Sequence, residues 1–325
     1  MAPTRQSRAI GALLALHAGD CLGATVEFRS HQHIAAVYPA GLRDIVGGGT
    51  FRWPAGHATD DTDLTRAVLL AYKSRRDAGA ADFDVVRAAA DNCLAWLDGD
   101  WPSGEVPRDV GNATAQGLHL YRMTGDPAMA GAGPGSAGNG SLMRCLPTGL
   151  FQPDPELRIQ ESMAISKITH DDYRCVVACA VYNAIVAALL QGLPADEAVA
   201  AGEAVAARLE KGRDGEVFRS LQQGKELRVS DMARHGPPKT MPGQCSGYVL
   251  DSLAVAVSAL LDARSLEDVL VDVVGIGGDT DTNAAIAGGL LGARDGEEAV
   301  PARWKEKLQF GEEFREIAIL LTREG

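Results

Sequence analysis

Apolar residues return every three or four positions in eight separate stretches of this 325-residue chain, which is the period of a helix buried along one side. The stretches are 10–22, 64–73, 85–97, 176–190, 195–209, 249–261, 266–274 and 284–291, and the breaks between them carry Gly, Pro or Asp. No series of alternating β-branched residues competes with them. One short extended piece is expected within 42–51, before Gly47, Gly48 and Gly49 interrupt it. The fold class is therefore all-α. No long linker divides residues 1–325, so one domain is expected.

Aromatic residues are only 5% of the chain while glycines number 37, which favours close helix packing through small side chains. The formal net charge is −12 and no Lys/Arg-rich run stands out, so broad binding to nucleic acid is disfavoured. A small phosphate-bearing ligand remains compatible if cations or helix N-termini reverse the local field. None of the six cysteines forms a CxxC pair, and they read as reduced thiols. The opening apolar stretch lacks a signal-peptide cleavage pattern. The longest apolar run, 175–190, falls short of the roughly 18 residues of a membrane span and reads as a buried helix. A cytoplasmic monomer without membrane association is expected.

Two acidic clusters carry the chemistry. Thr59-Asp60-Asp61-Thr62-Asp63 precedes the helical stretch from Leu64, and Gly277-Gly278-Asp279-Thr280-Asp281-Thr282 precedes Asn283. A helix start favours negative charge, and an isolated Thr-Asp-Asp is first of all an N-cap. Two such clusters facing each other would instead offer Thr59, Asp60, Asp61, Asp279, Asp281 and Thr282 as oxygen donors. An all-oxygen set without His or Cys suits Mg²⁺ or Mn²⁺. So many carboxylates need neutralising, and two divalent cations are the expectation. Neither cluster has the twelve-residue spacing of an EF-hand.

Five segments, in order, resemble the ADP-ribosylglycohydrolase family. They are GALLALHAGDCLGATVEF (11–28), Thr59-Asp60-Asp61-Thr62, Gly138-Asn139-Gly140-Ser141-Leu142-Met143-Arg144, Thr169-His170 and GGDTDTNAAIAGGLLGA (277–293). The resemblance implies a compact orthogonal helical bundle with a binuclear magnesium or manganese site in a central cleft, held by the six donors. It also implies that Glu27 lies near the reacting ribose, and that Gly138, Asn139, Gly140, Ser141 and His170 line the ADP-ribose site. Gly111 sits in a segment like a family glycine segment, with Ala113 where Thr is common. Asp63 is a further departure, a carboxylate where many relatives are small or apolar.

Residues 133–138 satisfy GxGxxG, but no strand precedes them and Pro134 sits inside the turn, so a dinucleotide fold is disfavoured. As an irregular loop they could cradle a pyrophosphate. Glu27 suits water positioning or proton transfer, with Asp60 and Asp61 as further catalytic candidates. His170 lacks a second His at ligand spacing, so substrate contact is expected of it rather than metal ligation. Tyr248 is a candidate for packing on ribose or base, and Trp53 and Trp101 are weaker candidates for a cleft rim.

The function implied is hydrolysis of the glycosidic bond between ADP-ribose and a modified target, releasing ADP-ribose. The partner is an ADP-ribosylated protein or a small ADP-ribose conjugate, with arginine as the leading linkage. Serine, a nucleic-acid base, poly(ADP-ribose) and O-acetyl-ADP-ribose stay open. A phosphoester-cleaving two-metal hydrolase and a non-catalytic ADP-ribose reader are the rival classes.

Overall fold

The computed structural model describes residues 2–80, 82–100 and 106–323. Sixteen α-helices account for it: α1 Arg5–Gly23, α2 His31–Val37, α3 Asp60–Ala78, α4 Val85–Leu97, α5 Asn112–Thr124 and α6 Leu146–Phe151. They continue with α7 Pro155–Lys167, α8 Tyr173–Leu190, α9 Ala195–Leu209, α10 Glu216–Glu226 and α11 Val229–His235. The last are α12 Val249–Leu261, α13 Leu266–Gly275, α14 Thr280–Asp295, α15 Ala302–Lys305 and α16 Gly311–Thr322. No strand occurs among the described residues, only isolated bridges. The all-α reading stands.

All eight periodic stretches are helical. The helices that periodicity missed are short or sparsely apolar. α7, for example, begins at Pro155 and buries only Ile159, Ser162, Ile165 and Ser166. The extended piece expected in 42–51 is absent. Gly47, Gly48 and Gly49 all take positive φ, which a strand cannot use, and Gly48 and Trp53 close a tight turn with two hydrogen bonds of 2.7 and 2.8 Å. The apolar run 175–190 begins two residues earlier, so α8 reaches 18 residues and is long and apolar enough to cross a membrane. However, 83% of it is buried inside the protein, against α6, α7 and α9 above all.

The centre is built on α1 and α14, which are apolar on every side and buried almost end to end. They run antiparallel in backbone contact. Gly11, Ala15, Gly19 and Gly23 recur every four residues on α1, as do Ala284, Gly288 and Gly292 on α14, so each helix presents one stripe of small residues. A Cβ on Gly19 would meet the Ala284 carbonyl oxygen at 2.2 Å, and one on Gly292 would meet that of Gly11 at 2.1 Å. One hydrophobic core extends from Ala9 to Ala318, with α16 packed on α1. All six cysteines are buried and free.

Candidate functional site

The antiparallel pairing sets the C-terminal end of α1 against the N-terminal end of α14. The loop after α1 is then zipped to the loop before α14. Phe28 N–H donates to the Gly278 carbonyl (2.8 Å) and Gly278 N–H donates to the Arg29 carbonyl (2.9 Å). Gly277 and Gly278 make this possible through φ of 83° and 80°, and a Cβ on Gly277 would lie 2.6 Å from the Arg29 oxygen. Glu27 thereby comes beside the second acidic cluster. One carboxylate oxygen each from Glu27, Asp279 and Asp281 lie within 4.8 Å of one another.

α1 also anchors the first cluster. Asp20, fully buried, accepts hydrogen bonds from the Thr59 amide (3.1 Å), the Thr62 amide (3.3 Å) and the Thr62 hydroxyl. This ties the start of α3 to the last turn of α1. Asp61 bridges the clusters, because its Oδ2 accepts from Thr59 Oγ1 and from Thr282 Oγ1, each at 3.3 Å. Thr59 is indeed the N-cap of α3, its hydroxyl accepting from the Asp61 amide. Asp279 occupies the N-cap position of α14 without capping it by a side-chain bond. Its Oδ2 instead accepts from Asn139 Nδ2 at 2.8 Å, an amide that also donates to Ser252.

A cavity of about 1060 Å³ opens over this junction. Glu27, Asp60, Asp279, Asp281 and Thr282 line it, together with Gly111, Gly138, Asn139, Gly140, His170 and Tyr248. Thr59, Asp61 and Ser141 lie behind the lining. Ser141 accepts from Ser166 (3.0 Å) in a buried network under the glycine loop, so it supports that loop from beneath. Trp53 is buried, stacked on His57 and absent from the cavity wall, because the Gly48–Trp53 turn folds it inward. Trp101 lies outside the described residues.

Irregular as it is, the loop 132–140 is pinned along its length, Val249 N–H donating to the Ala137 carbonyl (3.1 Å) among other bonds. Ala132 exchanges hydrogen bonds with Thr169 and Asp171, Gly135 N–H donates to Asp172 (2.8 Å), and Asn139 N–H donates to the Gly247 carbonyl (3.0 Å). His170 packs beneath it. A Cβ on Gly140 would stand 2.9 Å from the ring, so only glycine lets the loop lie this close. The ring shares a 2.7 Å hydrogen bond with Thr169 through Nδ1. Burial, helped by the nearby Arg144 guanidinium, lowers its pKa to about 3, so it is neutral at physiological pH.

The acidic side has the opposite problem. Burial and then the charges of Asp279, Asp109, Asp60 and Asp20 push Glu27 up to about 9. Burial raises Asp20 to about 6 and, with neighbouring carboxylates, drives Asp60, Asp61 and Asp281 well above the usual range. Four buried oxygens here, Asp20 Oδ1, Glu27 Oε2, Asp61 Oδ1 and Asp281 Oδ1, have no hydrogen-bond partner. Crowded, desolvated, unpartnered oxygens of like charge are what a hard divalent cation satisfies, so the residues fit one.

Sequence reading overlooked three residues of this site. Asp20 carried a weak signal as the lone acid in an apolar helix. Asp109, which lines the cavity and raises Glu27, sat two residues before Gly111. Arg174 lines the cavity, clamped by Asp172 (2.8 Å) with its guanidinium 5.8 Å from the Tyr248 ring centre, and nothing in the pattern marked it. Asp63, the extra carboxylate, accepts from the Trp96 indole at 3.0 Å.

Comparison with known proteins bears on this geometry. A sequence profile described as ADP-ribosylglycohydrolase matches residues 1–325. The chain is 32% identical over 317 residues to ADP-ribosyl-(dinitrogen reductase) glycohydrolase of Rhodospirillum rubrum, covering 97% of this chain and 94% of that one. It is 30% identical over 314 residues to ADP-ribosylarginine hydrolase Tri1 of Pseudomonas putida (strain GB-1), covering 96% and 76%. A solved structure described as an ADP-ribosylglycohydrolase-related protein complex superposes with a TM-score of 0.76 at 30% identity, covering 98% and 97%.

Proposed function

The chain belongs to the ADP-ribosylglycohydrolase family and is a hydrolase of ADP-ribose glycosidic bonds, and on that premise we propose that it releases ADP-ribose from modified arginine on a protein. The observation that carries this reading is the shared cavity, lined by two acidic clusters that meet and by a glycine loop bonded to one of them. Relatives whose names specify arginine support the linkage.

The residues proposed to hold two divalent cations, Mg²⁺ or Mn²⁺, are Thr59, Asp60, Asp61, Asp279, Asp281 and Thr282, with Glu27 close enough to join them. Cations bound there supply positive charge that polarises ribose hydroxyls and acidifies water. The chain's own groups do the rest. Glu27 positions water or passes a proton to the leaving group. Carboxylate oxygens of the cavity not taken up by the cations stabilise positive charge developing on the ribose. The Gly138–Gly140 backbone and neutral His170 hold the ADP-ribose, and Tyr248 packs on it.

The test is a panel of arginine-, serine-, base- and O-acetyl-linked ADP-ribose with Mg²⁺ and Mn²⁺, reading free ADP-ribose as product. Arginine-linked substrate is expected to turn over fastest, and Asp279→Ala to abolish turnover. AMP or phosphate as the product, or full activity in chelator, would refute the scheme.

A further inference from the structure

Phe28 stands at the cavity wall directly after Glu27, with 60% of its surface exposed. Its φ of 64° lies in the left-handed region that bulky residues rarely adopt, and the hydrogen bond to Gly278 holds it there. A large apolar side chain kept exposed and in an unfavourable backbone conformation at a cavity is a site marker. Its ring is the outer member of an aromatic series. Phe51 meets it edge-on with centroids 6.4 Å apart, and Trp53 follows at 6.2 Å. This series already carries one guanidinium, since Arg108 lies 5.3 Å from the Trp53 centroid.

The same cavity wall holds Glu27, whose buried Oε2 is unpartnered, together with Asp60 and Asp109. An aromatic face in a cavity also lined by Asp109, which is not among the proposed cation donors, attracts a planar cation. We propose that Phe28 is a guanidinium platform, a specificity-determining contact for the leaving-group side of an arginine-linked substrate. The proposal rests on the arginine reading given above. It goes further by assigning recognition of the target side chain to a residue that is neither a cation ligand nor a contact of the ADP-ribose loop.

The test uses Phe28→Gly, which removes the ring and suits the positive φ, and Phe28→Trp, which keeps an aromatic face. Agmatine binding is measured by calorimetry on protein saturated with ADP-ribose. Phe28→Gly is expected to weaken it about tenfold, the scale of a cation–π contact, and Phe28→Trp to keep it. The ratio of kcat/KM for arginine-linked over O-acetyl-linked ADP-ribose is expected to fall by a similar factor in Phe28→Gly. Unchanged agmatine binding, or equal losses on arginine- and base-linked substrates, would overturn the platform. Wild-type protein that binds agmatine through Phe28 yet cleaves no arginine linkage would overturn the arginine reading and leave the platform standing.

Discussion

Gly23 and Asp281 touch backbone to backbone: a Cβ on Gly23 would lie 2.3 Å from the Asp281 Cα, and Thr280 Oγ1 donates to the Gly23 carbonyl at 2.7 Å. The stripe of small residues therefore ends inside the site, and it sets how far Glu27 lies from the second acidic cluster. The stripe serves packing and shapes the site at once.

Two alanine substitutions separate these roles. Gly23→Ala and Gly288→Ala each force a Cβ into backbone, the second 2.3 Å from the Ala15 oxygen. Each is expected to cost about 1–3 kcal/mol in thermal or denaturant unfolding. Well below its melting temperature, Gly23→Ala is expected to lose more than tenfold in kcat/KM while Gly288→Ala keeps most of its activity. Equal losses in both would show that the contact only stabilises.

Cation binding should stabilise the fold with a sign that depends on the carboxylates. Mn²⁺ or Mg²⁺ at a hundredfold over Kd is expected to add about 2.7 kcal/mol and raise Tm. In chelator, Asp281→Asn is expected to melt above wild type, because burial and neighbouring carboxylates disfavour the ionised Asp281 that the unfolded chain carries. With saturating cation the order should reverse. Parallel melting under both conditions would argue against a cation site.

Two buried histidines oppose folding in acid, against the raised carboxyls of the site, which act with the opposite sign. Burial lowers His17 and His170 to about 3, below the usual value near 6.5. Both are neutral in folded and unfolded chains above pH 6.5, so neither contributes a slope there. Below it the unfolded chain binds protons that the fold refuses. Each histidine's own contribution thus falls from about pH 6.5 down to about 3, by roughly 1.4 kcal/mol per pH unit. His17 packs against Phe310 and Phe314, so His17→Leu should fit the site and remove its share of this slope. Identical acid limbs for wild type and variant, followed by urea unfolding between pH 6 and 4, would contradict this.

Glu27→Gln keeps the shape of the side chain and removes its proton-transfer capacity. A general acid–base role predicts a kcat loss of about 10²–10⁴-fold with ADP-ribose affinity little changed. A rise in KM with kcat intact would assign Glu27 to binding alone.

How much could be read in advance follows from the range of each interaction. The eight principal helices were legible because each is a sustained apolar stretch, one-sided or buried all round, and α7 was not, because few of its residues meet the core. The oxygen donors were legible because they sit together at helix starts. Whether Asp61 would meet Thr282 across 221 positions was beyond any local pattern. Arg174 was invisible for the same reason, since only neighbours distant in sequence make it part of the cavity.

Sequence alone determined the helical class, the family and the donor chemistry, since periodicity, ordered motifs and side-chain oxygens are properties of short segments. Tertiary structure decided the rest. It turned α1 into the hub that seats both acidic clusters, made Asp20 and Asp109 members of the group, and moved Ser141 behind the wall. The physical reason is that desolvation and charge crowding, which give these carboxylates their character, arise only once distant segments share one buried volume.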